Sequence, residues 1–114
     1  MIWKLVFHID EADKWPLLLG NIKNFLNGIG DQSYDINIVA NAGAVTCISE
    51  NGSQIIKEIQ LLTLRNVQIN FCKIALHGNN ISENTVPNYI KIVSSGIKRI
   101  AELQINEGCA YIKP

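Results

Sequence analysis

Cysteine is scarce and odd in number: Cys47, Cys72 and Cys109. Three thiols without close pairs do not make a disulfide framework, and with no Cys-x-x-Cys the usual zinc ligand pair is missing. The default setting is therefore reducing and cytoplasmic. Charge is also scarce and balanced, with ten Lys and Arg against ten Asp and Glu. Without a basic stripe, nucleic acid is not expected as a partner. No apolar run is long enough to span a membrane, and Met1-Ile2-Trp3-Lys4 lacks a signal-peptide layout. Linkers, repeats and low-complexity tracts are absent. No loop has the spacing of a Gly-rich nucleotide loop, so no cofactor is expected, and without a Cys-x-x-Cys no metal is expected either.

What is present suits packing. Hydrophobic residues make up 47% of the chain and charged residues 18%, which argues for a packed globule. With 114 residues, 1–114 reads as one domain around a single core. Ile2 to Ile9 is nearly all apolar, broken by Lys4 and His8, as in a strand buried on both faces. Asp10 to Asp13 reads as a loop and helix start, with Asp13 as cap and Pro16 in the first turn. Trp15, Leu18, Leu19, Ile22, Phe25, Leu26 and Ile29 recur at helical spacing, and Gly28 and Gly30 end that helix. Tyr34 to Ala40 is the second strand. The small-residue turn Asn41-Ala42-Gly43 and an apolar stretch, Ala44 to Ile48, follow. Glu50-Asn51-Gly52-Ser53 breaks the pattern before a helix over Gln54 to Leu64.

Val67 to Ser82 is the stretch around which the chain is organised. Val67, Ile69 and Phe71 alternate with polar residues, and Lys73 to Leu76 reads as a turn of helix. Cys72 falls at the junction, beside backbone N–H groups at a helix start, a setting that favours thiolate. Gly78-Asn79-Asn80 marks a turn, and Pro87 opposes a long helix over 81–88. Tyr89 to Val93 is the fourth strand. Ser94-Ser95-Gly96 opens the last helix, with Ile97, Ile100, Ala101 and Leu103 spaced to pack inward. Gly108 stops it, and Cys109 to Ile112 forms the fifth strand. Strand and helix alternating in this way require a parallel sheet with right-handed crossovers, an α/β fold. The loops leaving the strands then gather His8, Asp10, Asn41, Gly43, Cys72, Ser94 and Ser95 on one edge, where open α/β sheets bind ligands.

Each residue has a functional and a structural reading. Cys72 is either a reactive thiol or buried packing, and Lys73 either assists it or points to solvent. His8, late in a buried strand, reads as a satisfied core histidine. His77 follows Cys72 at poor spacing for a Cys–His pair and reads as solvated. Asp10, Glu11 and Asp13 read as a charged helix start. Asn41-Ala42-Gly43 and Ser94-Ser95-Gly96 offer backbone N–H groups to an anion, so Asn41, Gly43, Ser94 and Ser95 are candidate ligand-binding residues. Cys47 and Cys109 read as packing.

Val-Phe-His-Ile-Asp-Glu-Ala-Asp-Lys-Trp at 6–15 and Gly-Asn-Ile-Lys-Asn-Phe-Leu at 20–26 resemble the DsrE/DsrF-like family. So do Val39-Ala40-Asn41-Ala42-Gly43, Asn70-Phe71-Cys72 and the ending from Gly96-Ile97 through Ala101-Glu102-Leu103-Gln104 and Glu107-Gly108 to Ala110-Tyr111-Ile112-Lys113-Pro114. The likeness spans nearly the whole chain and is to small single-domain members of unassigned activity. It implies a three-layer α/β/α fold with five parallel strands in the order 4-3-2-1-5, assembled as a homotrimer or homohexamer. In that order only the last helix covers one face, so another subunit is expected to shield it. The change of face falls between the third and fourth strands, flanked by Cys72 and Ser94-Ser95-Gly96. The better understood members are sulfur-relay proteins that hold a cysteine persulfide after the third strand, the position Cys72 matches. The resemblance thus implies a sulfur-carrier or thiol-transfer role, of sulfurtransferase type, with a sulfur donor and an acceptor as partners. No second cysteine clearly matches a partner site. The competing expectation is a non-catalytic oligomeric module that binds a small anion or a protein at the same edge.

Overall fold

β-Branched and apolar runs form the strands, and their period of two decides what each side of the sheet meets. The computed structural model describes residues 1–49 and 53–114, so the expected break at Glu50-Asn51-Gly52 lies outside the described residues. The strands are β1 (Trp3–Ile9), β2 (Tyr34–Ala40), β3 (Gln68–Cys72), β4 (Ile90–Val93) and β5 (Ala110–Ile112). The helices are α1 (Trp15–Ile29), α2 (Gln54–Leu64), α3 (Lys73–Gly78) and α4 (Gly96–Glu107). Short 3-10 turns occupy Ala12–Lys14, Ala42–Ser49 and Glu83–Thr85.

The sheet runs β4-β3-β2-β1-β5 with every pair parallel, the order the family resemblance implies. In register, Phe71 lies beside Ile92 and Cys72 beside Val93. Leu5, Phe7, Ile9, Ile36, Ile38, Ile69 and Phe71 join residues of α1, α2 and α3 in the larger core. Trp15 is fully buried there, and its Nε1 donates to the Ala44 carbonyl at 2.8 Å, so its one polar atom is satisfied. The alternate residues Val6 and Val39 form a smaller core with Ile100, Leu103 and Cys109, where α4 packs across β1, β2 and β3. Buried Asn70 lies on β3, and its Nδ2 donates to Asn37 Oδ1 at 3.1 Å and to the Ile38 carbonyl at 3.0 Å.

Several local details differ from the sequence expectations. Asp13 does not cap α1. It lies within the Ala12–Lys14 turn, and Lys14 takes the N-cap position with no side-chain bond. The second position of α1 is Pro16, which has no N–H for a cap to bind. Gly28 stays helical, and Gly30, at φ 63°, ends α1. On α4 the inward stripe is Gly96, Ile100 and Leu103, which turns Ile97 and Ala101 about 100° around the helix toward solvent. Ile97 is 61% exposed. Ile2, Val67, Tyr89 and Cys109 each fall just outside the strand ends.

Candidate functional site

β3 leads into α3 on the larger-core side, whereas β4 leads into α4 on the other, so the C-terminal ends of these neighbouring strands part company. Such a switch point leaves a crevice. A cleft of about 240 Å³ opens there, lined by Asn41, Cys72, Ser95 and Gly96 with the apolar side chains of Ile74 and Ile97. Cys72 ends β3 and is the N-cap residue of α3, in extended conformation and with no side-chain cap bond. It is 6% exposed. Because α3 has only six residues, its macrodipole adds little at the thiol.

Glycine at position 96 is what lets α4 approach. A Cβ there would stand 3.2 Å from Asn41 Cβ, 3.3 Å from Cys72 Cβ and 3.4 Å from Val39 Cγ1. Ser95 caps the same helix, its Oγ accepting from the Lys98 N–H at 3.3 Å. On the opposite wall Ala42 has φ 48°, a left-handed conformation that non-glycine residues rarely adopt. Its carbonyl accepts from Asn79 Nδ2 at 3.1 Å, and the same amide group donates to the Ala75 carbonyl at 2.8 Å. The end of α3 is thereby tied to the loop after β2.

Of the residues expected at this edge, Asn41, Cys72 and Ser95 line the cleft, while Gly43 and Ser94 are not part of its lining. Gly43 lies over the Asp10 carbonyl, 3.9 Å from where its Cβ would be. His8 is buried and bonded at both ring nitrogens, with Nδ1 2.6 Å from the Tyr111 hydroxyl and Nε2 2.9 Å from Asn41 Oδ1. Asp10 pairs with Lys113 at 2.9 Å, and that hydrogen bond holds its carboxyl below the usual carboxylate range while raising Lys113. His77 pairs with Glu83 at 2.8 Å rather than with the thiol, and Lys73 Nζ lies 3.8 Å from the same carboxylate. Cys47 is buried in the larger core. Burial pushes the Cys109 thiol pKa up. Among the described residues no group of three or more His, Cys, Asp or Glu could hold a metal ion. Larger hollows, one of about 510 Å³ beside Leu61, Leu64 and Arg65 and one of about 550 Å³ beside Ile48 and Asn80, contain no thiol.

The sequence reading overlooked Tyr111 as a partner of the site. The available signal was topological: β5 beside β1 places Tyr111 opposite Val6, two residues before His8.

An open, all-parallel sheet with a cleft at the switch point defines the class, a parallel α/β protein of open-sheet type. Within that class the chain belongs to the DsrE/DsrF-like family, whose sequence model matches residues 6–114. The family is associated with sulfur relay in general. The chain is similar to the protein of unknown function MTH1491 from Methanobacterium thermoautotrophicum, with 28% identity and a TM-score of 0.84 over 98% of this chain and 99% of that one. It shares its fold with the ychN protein from E. coli, with 16% identity and a TM-score of 0.64 over 97% of this chain and 99% of that one. No curated protein matches it significantly.

Proposed function

We propose that this chain is a sulfur carrier, holding sulfane sulfur as a persulfide on Cys72. The observation behind this reading is the position of Cys72: last in β3, at the switch-point cleft, beside the Asn41 and Ser95 side chains. Membership of a family associated with sulfur relay supports it. In the first step the Cys72 thiolate attacks the terminal sulfur of a donor persulfide. An S–S bond forms at Cys72 Sγ, the donor's S–S bond breaks, and the donor leaves as a thiolate. In the second step an acceptor thiolate attacks the terminal sulfur and Cys72 leaves as thiolate. One sulfur atom moves and no external oxidant or reductant is consumed. The donor and acceptor are thiol proteins, and a reducing, cytoplasmic location belongs to this reading. So does a homotrimer or homohexamer, since exposed Ile97 and Ile105 on α4 and Tyr111 on β5 offer apolar surface on the side of the smaller core.

A second reading follows from the low exposure of Cys72 and the apolar walls contributed by Ile74 and Ile97. In it the thiol is packing, and the cleft belongs to a non-catalytic module that binds a small anion or a protein. Alkylation of the native protein, mapped by peptide mass spectrometry, separates the two. The carrier reading expects Cys72 to be labelled first, with Cys109 slow because burial keeps it protonated. Equal labelling of Cys72 and Cys109 favours the binding module.

A further inference from the structure

The carboxamide of Asn41 has two ends, and among the described residues only one is used. Its Oδ1 faces His8 Nε2 at 2.9 Å, whereas its Nδ2 makes no hydrogen bond among the described residues. A carboxamide oxygen only accepts, so the proton of a neutral His8 ring lies on Nε2. Nδ1 then has a free lone pair, and the Tyr111 hydroxyl, 2.6 Å away, donates to it. The chain Tyr111 to His8 to Asn41 has a single consistent direction. It leaves the Nδ2 donor as the free end, on a side chain that lines the cleft with Cys72. The Cβ atoms of Asn41 and Cys72 flank the same point, 3.2 and 3.3 Å from where a Cβ on Gly96 would sit.

We propose that Asn41 Nδ2 donates a hydrogen bond to the anion held at Cys72, thiolate or terminal persulfide sulfur, and that His8 and Tyr111 are positioning residues that fix the carboxamide in this orientation. The proposal rests on the reading of Cys72 as a reactive thiol. His8 is 7% exposed and bonded on both sides, so it is placed to orient rather than to exchange protons with solvent. Charge-assisted hydrogen bonds are the stronger kind, and loss of one to a thiolate corresponds to roughly a tenfold change in its population near neutral pH.

Two measurements test this, and neither requires sulfur transfer. Nitrogen-15 NMR of the wild-type protein at pH 8 is expected to show the His8 proton on Nε2, and Tyr111→Phe is expected to give a mixture of tautomers. A wild-type proton on Nδ1 would overturn the proposal, because the Asn41 amide would then face His8. In parallel, the rate of Cys72 alkylation by iodoacetamide is followed against pH. Asn41→Ala is expected to move the midpoint of that profile upward by about one pH unit, and Tyr111→Phe to move it part of the way, with Cys109 labelling unchanged. An unchanged midpoint in Asn41→Ala would also overturn it. A protein that meets both expectations yet takes up no sulfur from inorganic polysulfide would refute the carrier function and leave the positioning of Asn41 intact.

Discussion

Gly96 shows how much one side chain's absence decides. The backbone of α4 starts where a Cβ would press on Asn41, Cys72 and Val39 at 3.2 to 3.4 Å, two of the contacts being Cβ atoms that cannot rotate away. Gly96→Ala is therefore expected to lower stability by about 1–2 kcal/mol, seen as a lower urea midpoint at unchanged slope. A neutral or stabilising result would mean that α4 tolerates a shift away from β3. The thiol itself was legible at this scale, because a cysteine between an alternating run and a helical turn has a distinctive local context. The Tyr111–His8–Asn41 chain was not. Residues 8, 41 and 111 are far apart in sequence, and they meet because β1 pairs with β2 on one side and with β5 on the other. For the same reason local pattern offered no guide to which small residue of Ser94-Ser95-Gly96 faces the cleft.

Among the elements, α1 follows its sequence periodicity closely: Trp15, Leu18, Leu19, Ile22, Leu26 and Ile29 are buried in the larger core and Phe25 packs partly buried against it. α4 departs from it. Four of its apolar residues are spaced for burial, but the smaller core has room only for Ile100 and Leu103 behind the close approach at Gly96. Periodicity gives a stripe but not its width, which is set by how much sheet lies beneath. The C-terminal end of the chain is fastened after β5 by Lys113 to Asp10, which follows β1. This pair has a defined pH signature. The Asp10 pKa lies below its unfolded value near 3.8, so its contribution is fully present above about pH 4 and is lost as pH falls through the lowered value. Lys113 is raised above 10.5, so the same pair also weakens as pH rises beyond that. Asp10→Asn is expected to cost little at pH 7, since both side chains are partly in solvent, and less still at pH 2. Thermal melts at the two pH values check this, and an equal loss at both would rule the pair out as the cause.

At the scale of the molecule, the radius of gyration of 13.4 Å is close to the roughly 13 Å expected for a chain of this length. On the oligomeric reading proposed above, cover for the exposed side chains of Ile97, Ile105 and Tyr111 comes from another molecule. Light scattering at micromolar concentration is expected to give a trimer or hexamer, and a monodisperse monomer would exclude that assembly. The strand order was legible through the family resemblance, whereas alternation alone settled only that the sheet is parallel. The proposed carrier chemistry turns on Cys72, and the direct measurement is the intact mass of the protein after incubation with inorganic polysulfide. The carrier function predicts the mass of one added sulfur atom, mapped to Cys72, removed by dithiothreitol, and absent in Cys72→Ser. No added sulfur, or sulfur that persists in Cys72→Ser, would contradict it.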